Sequence, residues 1–98
     1  MFTHHVLFWL SSETTDDQKH YFKQGLESLE PIETVKSIFI GTPASTNRPV
    51  IDTTYTFSLL LVFEDLAGHD TYQTHPIHEA FVEKYKPMFE KVIIYDSQ

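Results

Sequence analysis

Two stretches of this chain alternate with the period of a β-strand and are largely apolar on both faces. In Phe2–Leu10, the side chains of Phe2, His4, Val6, Phe8 and Leu10 share one face. Thr3, His5, Leu7 and Trp9 share the other. In Thr54–Glu64, Tyr55, Phe57, Leu59, Leu61 and Phe63 form a continuous apolar face. Thr54, Thr56, Ser58, Leu60 and Val62 form the opposite one, more polar near its start. Strands of this kind belong in a sheet that is covered on both sides. The rest of the chain must therefore supply one cover, and something else must supply the second.

The remaining segments fill in an order. After the first strand, Thr15 and Gln18 fit a capping box, and Asp16 and Asp17 suit the positive end of a helix dipole. The spacing of Phe22, Leu26 and Leu29 predicts a helix to about Leu29, weakened slightly at Gly25 and stopped by Pro31. Val35–Ile40 reads as a second strand, and 42–53 as a surface loop rich in Pro, Ser and Asn. Asp65–Asp70 turns into a short helix carrying Tyr72. A second helix continues from Pro76 to about Glu90, with Ile77, Phe81, Tyr85, Met88 and Phe89 inward and Pro87 kinking or ending it. Val92–Tyr95 closes the chain as a strand. The order β-α-β-β-α-β over residues 1–98 predicts one α+β domain of ferredoxin-like type, a four-stranded antiparallel sheet with two helices on one face. Its open face would carry Leu7, Trp9, Leu60 and Val62. A second copy of the chain is the economical cover for so much apolar surface, with Trp9 as its anchor and His5 at the same interface.

Several functions are disfavoured. Fourteen acids against seven Lys and Arg give a net charge of −7, which argues against nucleic acid and against an anionic membrane surface. With no cysteine, disulfides, thiolate catalysis and sulfur-ligated metals are excluded. The apolar runs are too short to span a bilayer, and no signal peptide is visible, so the expected location is cytoplasmic.

Candidate chemistry concentrates in Tyr72-Gln73-Thr74-His75-Pro76-Ile77-His78-Glu79-Ala80-Phe81. Pro is favoured at the first position of a helix, so the block sets a phenol and two imidazoles around a defined helix start. His78 fits a general base, or a structural role bonding a backbone carbonyl or Tyr72. Tyr72 fits a donor to a developing enolate. His75 fits a helix cap, or a ligand contact. His4 shares an apolar face with Val6 and Phe8, which suits either a satisfied core histidine or a member of the site. The rings of Phe57, Phe81 and Tyr85, with Phe22 and Phe89, either line a pocket for a hydrophobic ligand or fill the core. No metal site is expected. His75 and His78 are close enough to share a helical face, with His4 within reach of joining them, but the sequence aims no carboxylate there. No cofactor-binding motif is present either; Gly41 and Gly68 are isolated turn glycines.

Taken together, the opening Met1-Phe2-Thr3-His4-His5-Val6-Leu7-Phe8, the Val35–Gly41 strand, Tyr55-Thr56, Phe63-Glu64-Asp65, the Tyr72…His75-Pro76…His78…Phe81 block and the closing Tyr95-Asp96 resemble the stress-responsive A/B barrel (Dabb) family. The resemblance spans essentially the whole chain and implies a dimeric α+β barrel. It implies no assigned activity, since most members have none and some are stress-induced proteins. A few are plant polyketide cyclases that close a linear polyketone by aldol chemistry. Their pocket lies between sheet and helices, and its polar members are a first-strand His, a third-strand His, and the Tyr and second His of the helix block. The matching positions here are His4, Phe57, Tyr72 and His78. Phe57 departs from the pattern, because a phenyl ring neither shuttles a proton nor bonds a carbonyl. Three functions follow as expectations: a dimer binding a small hydrophobic molecule, a cofactor-free cyclase or monooxygenase using His4, Tyr72 and His78, or an assembly protein.

Overall fold

The computed structural model describes residues Met1–Gln98. Four strands, β1 (Phe2–Leu10), β2 (Val35–Gly41), β3 (Phe57–Phe63) and β4 (Phe89–Ser97), form one antiparallel sheet in the order β2-β3-β1-β4. Helices α1 (Asp16–Glu27), α2 (Leu66–Gln73) and α3 (Pro76–Tyr85) accompany it. β1 is central, bonded to β3 on one side and β4 on the other. The expected alternation holds residue by residue. Phe2, His4, Val6, Phe8 and Leu10 are buried, while Thr3, His5, Leu7 and Trp9 are half-buried. β3 repeats the pattern, with Phe57, Leu59, Leu61 and Phe63 buried.

The core lies between this face and the helices. Phe22, Leu26 and Leu29 are fully enclosed, as their spacing predicts. Thr15 caps α1 through the full capping box: its hydroxyl accepts from the Gln18 N–H, and the Gln18 side chain accepts from the Thr15 N–H. α1 ends at Glu27 with Ser28 as its C-cap, before Pro31 comes into play, and Leu29 enters the core from a tight turn beyond it.

Three boundaries differ from the sequence expectation. β3 begins at Phe57 rather than Thr54, because Asp52 takes both the backbone N–H and the hydroxyl of Thr54 (2.8 and 2.6 Å) and holds that stretch as a turn. The predicted helix from Pro76 to Glu90 stops at Tyr85; a single 3-10 turn, Lys86–Met88, contains Pro87, and β4 already starts at Phe89. Proline removes the donor that another helical turn would need. The last strand is consequently longer than Val92–Tyr95, and it carries Asp96 inside it. The short helix carrying Tyr72 and the helix from Pro76 separate at Thr74-His75, as expected, so three helices stand where the ferredoxin-like pattern counts two.

The opposite face of the sheet has no helix. Leu7, Trp9, Leu60 and Val62 lie on it, as expected. The strand register adds Phe39, opposite Leu60, and Tyr95, opposite His5; these two are 66% and 61% exposed. His5 is satisfied there by the Ser58 hydroxyl at 2.8 Å. No helix of the protein is long and apolar enough to cross a membrane.

Gly25 has a role that helix propensity does not suggest. The Tyr85 ring of α3 lies directly against it, and a Cβ at this position would sit 2.4 Å from the ring. Tyr85 is itself held by Phe22 and Phe81. Gly25→Ala should therefore destabilise the protein by about 1–3 kcal/mol through overpacking. The helix advantage of alanine, about 1 kcal/mol, offsets only part of that. Thermal unfolding checks it: the expected result is a melting temperature several degrees lower, and an unchanged or higher one would contradict the close packing.

Candidate functional site

A cavity of about 190 Å³ lies between the helix-side face of β1 and the α2–α3 corner. Val6, Phe8, Leu59 and Phe81 are among its apolar walls, and His4, Tyr72 and His78 break them. A larger depression of about 540 Å³ lies near Leu10 and the 42–43 and 54–56 segments. It is an open surface groove that holds no histidine, so it is a poor home for the chemistry.

The chain break between α2 and α3 builds the site. Tyr72 comes from the last turn of α2 and His78 from the first turn of α3. Asp65 caps α2, accepting from the Gly68 N–H at 2.9 Å. His75 caps α3, its Nδ1 accepting from the Ile77 N–H at 3.1 Å, with Pro76 at the first helical position. The other nitrogen of His75 faces the Glu33 carboxylate at 3.3 Å. Both nitrogens of His75 are thus engaged away from the cavity, which corrects the reading of His75 as a ligand contact and leaves it the capping role.

The Tyr72 and His78 rings lie side by side, 4.6 Å between centroids. Nδ1 of His78 is 3.1 Å from the Gln73 carbonyl. A carbonyl only accepts, so Nδ1 carries the proton and Nε2 carries the lone pair. Burial pushes the His78 pKa below the ordinary histidine value, against the opposing pull of the Gln73 bond. Tyr72 is only 2% exposed, and burial raises its pKa, so the phenol keeps its proton. The pair is a neutral imidazole beside a protonated phenol, in an apolar wall.

His4 also belongs to the site. Its ring is 5.8 Å from that of Tyr72, and its Nδ1 is 2.5 Å from Oδ1 of Asp96. Burial lowers the His4 pKa, and the Asp96 bond and charge oppose the shift. Phe81 lines the cavity as expected. Phe57 and Tyr85 do not. Phe57 stacks on Phe22 at 5.6 Å, and Tyr85 stacks on Phe81 at 5.2 Å, so both rings are core at the far end.

Sequence reasoning missed two residues here. Asp96 pairs with His4 across the β1–β4 register. Its signal was the alternation of Val92, Ile94 and Asp96, one step past the expected strand end. His69 is buried and lies 4.9 Å from the His4 ring. It precedes Tyr72 by three residues, a spacing that puts both on one helical face.

Fold and site define a class: an antiparallel ferredoxin-like sheet that shelters a Tyr–His pair beneath its helices. Residues 2–98 match the stress responsive A/B barrel domain, Dabb, and the chain belongs to that family. It is similar to olivetolic acid cyclase from Cannabis sativa, 26% identical over 94 residues that cover 95% of this chain and 91% of the relative. A Dabb family protein with a ferredoxin-like fold from Mesorhizobium loti MAFF303099 superposes with a TM-score of 0.78 at 27% identity, covering 99% of this chain and 94% of that one. A dimeric ferredoxin-like protein of unknown function from Thermobifida fusca YX superposes with a TM-score of 0.79 at 23% identity, covering 98% and 88%.

The state of His78 has a direct readout. Its folded pKa lies below the unfolded value of 6.5, so the unfolded chain takes the proton first as pH falls. The stability tied to this residue is intact above about pH 6.5 and is lost as the pH drops through the folded midpoint. An NMR titration of the ring protons should place the His78 midpoint below 6.5. A midpoint at or above it would contradict the burial argument.

Proposed function

We propose that this protein binds a small, mostly apolar carbonyl compound in the β1–α2–α3 cavity and moves a proton on it. His78 Nε2 takes a proton from the carbon beside the carbonyl, and the Tyr72 hydroxyl donates to the oxygen as charge develops there. One observation carries this reading: the Gln73 carbonyl fixes the His78 tautomer and leaves Nε2 free beside Tyr72. Similarity to olivetolic acid cyclase supports a reading as an enzyme of the cyclase kind.

The size of the cavity narrows the ligand. A dry cavity of about 150 Å³ holds benzene, so 190 Å³ suits a molecule only slightly larger. The stacked Phe57–Phe22 pair takes up the room beyond. The enclosed part therefore holds a compact apolar group, and its exposed Ile94 wall leaves it open on one side. The site also supports a second reading, binding without chemistry, because the third-strand position offers no polar group.

The working unit in this proposal is a homodimer. The open face presents Leu7, Trp9, Leu60 and Val62, extended by Phe39. A stable pair would bury roughly 1,200–2,000 Å² there. The Thermobifida fusca protein is dimeric, which supports a pair.

Acetophenone, an apolar ring with one carbonyl, is a suitable probe. Incubated with the protein in D₂O, its methyl protons should exchange faster than in buffer, and its binding should shift the His78 ring resonances. His78→Gln should lower the protein-catalysed rate by about 10²–10⁴-fold with the circular dichroism unchanged. Binding without accelerated exchange would leave only the second reading. Neither binding nor exchange would remove both.

A further inference from the structure

His69 presents an anomaly that the Tyr72–His78 pair does not explain. Its ring centroid lies 4.7 Å from that of Phe2 and 4.9 Å from that of His4, and the residue is 8% exposed. Nδ1 lies 3.1 Å from Oδ1 of Asp70. A carboxylate accepts, so Nδ1 carries the proton and Nε2 is the nitrogen with the lone pair. That Nε2 is buried with no hydrogen-bond partner. It faces Oδ2 of Asp96 at 4.0 Å. A lone pair directed at a carboxylate, with nothing positive between, is an unfavourable arrangement in a buried site. On the other side of the same carboxylate, Oδ1 is 2.5 Å from Nδ1 of His4.

We infer that His4, His69 and Asp96 form a binding site for a divalent first-row transition metal ion such as Zn²⁺. One ligand atom from each of the three lies within 4.8 Å of the others. Two imidazoles and a carboxylate are a donor set that suits Zn²⁺ or Fe²⁺ rather than Mg²⁺ or Ca²⁺. The distances bracket what the ion needs. Ligand bonds of about 2.0–2.1 Å in a tetrahedron put donor atoms about 3.3 Å apart. The two nitrogen–oxygen separations here, 2.5 and 4.0 Å, lie on either side of that value. Binding would open the His4–Asp96 pair and draw in His69. The proton on His4 Nδ1 would pass to Nε2, so the ring stays neutral and frees Nδ1 as donor. Asp70 already holds His69 in the tautomer that leaves Nε2 available, which is the usual role of a supporting carboxylate. Asp96 is the accessible member, its side chain 40% exposed, and gives the ion a way in.

Three protein ligands leave at least one position for water or for an oxygen of a bound molecule. His4 lines the cavity, so the ion would stand at its wall. The expectation of no metal rested on His75 and His78, and those two do not join here; the carboxylate arrives from the far end of the chain. The inference is independent of proton transfer by His78 and survives its failure.

The test uses the full chain, stripped with EDTA and then titrated with ZnCl₂ alone. Calorimetry should give one Zn²⁺ per chain. The melting temperature should rise by about 10 °C when Zn²⁺ is a hundredfold above its dissociation constant. His69→Gln and Asp96→Asn should lose that rise, and His20→Gln, on the exposed face of α1, should keep it. Should either site variant fail to fold, Co²⁺ added to the unaltered protein serves instead. Its paramagnetic shifts should be largest on the His4 and His69 ring protons, smaller on His5 and least on His20. No Zn²⁺-dependent rise, a rise retained in both site variants, or Co²⁺ shifts centred on His5 or His20 would overturn the inference.

Discussion

The alternation of β1 in the middle of the sheet is the constraint on which the other features depend. This strand pairs on both edges, so its register is fixed twice, by β3 and by β4. Slipping it by one residue would send Phe2, Val6 and Phe8 outward and bring Thr3, His5 and Trp9 into the core. The same slip would exchange His4 for His5 and dismantle the polar corner. Core, cavity and open face are therefore three consequences of one pattern. Each buried ring of β1 and β3 contributes about 1.5–3 kcal/mol by leaving water, which is large against the modest stability of a chain this size.

The polar site exists because short elements meet at this ordered strand. α2 and α3 are each shorter than an ordinary helix, and their separation at Thr74-His75 turns Tyr72 and His78 toward one another. Had the helix run on unbroken, those two residues would be six apart and on different faces. The cap by His75 and the cap by Asp65 hold the two helix starts, and the Gln73 carbonyl holds the His78 ring. The aromatic load has a related purpose. Phe8, Phe22, Phe57, Phe81 and Phe89 fill the wide end between sheet and helices, which leaves only a small space beside the polar groups.

Much of this was legible in the sequence because it rests on local periodicity. The burial of β1 and β3 and the capping box of α1 follow from spacing, and the grouping of His4 with Tyr72 and His78 follows from the resemblance to the family. The chain ends of elements were less legible. The start of β3 depends on Asp52 reaching the backbone of Thr54, and the end of α3 on how soon the chain turns before Pro87; periodicity reports neither. His69 and Asp96 were overlooked for a different reason. Their meaning comes only from the β1–β4 register and the seating of α2, which join residues 92 positions apart. Phe57 was read as a pocket residue from its place on the inward face, but inward residues of one strand do not all reach the same space. Leu59, one pleat along, lines the cavity instead.

Leu7, Trp9, Leu60, Val62 and Phe39 lie on a sheet face that no helix covers, and a second copy of the chain is the proposed cover. Sedimentation velocity across a wide concentration range addresses this directly. The predicted result is a species of twice the chain mass, and a Trp9→Lys/Leu60→Lys variant of single mass that retains its secondary structure. A native chain of single mass at every concentration would contradict it.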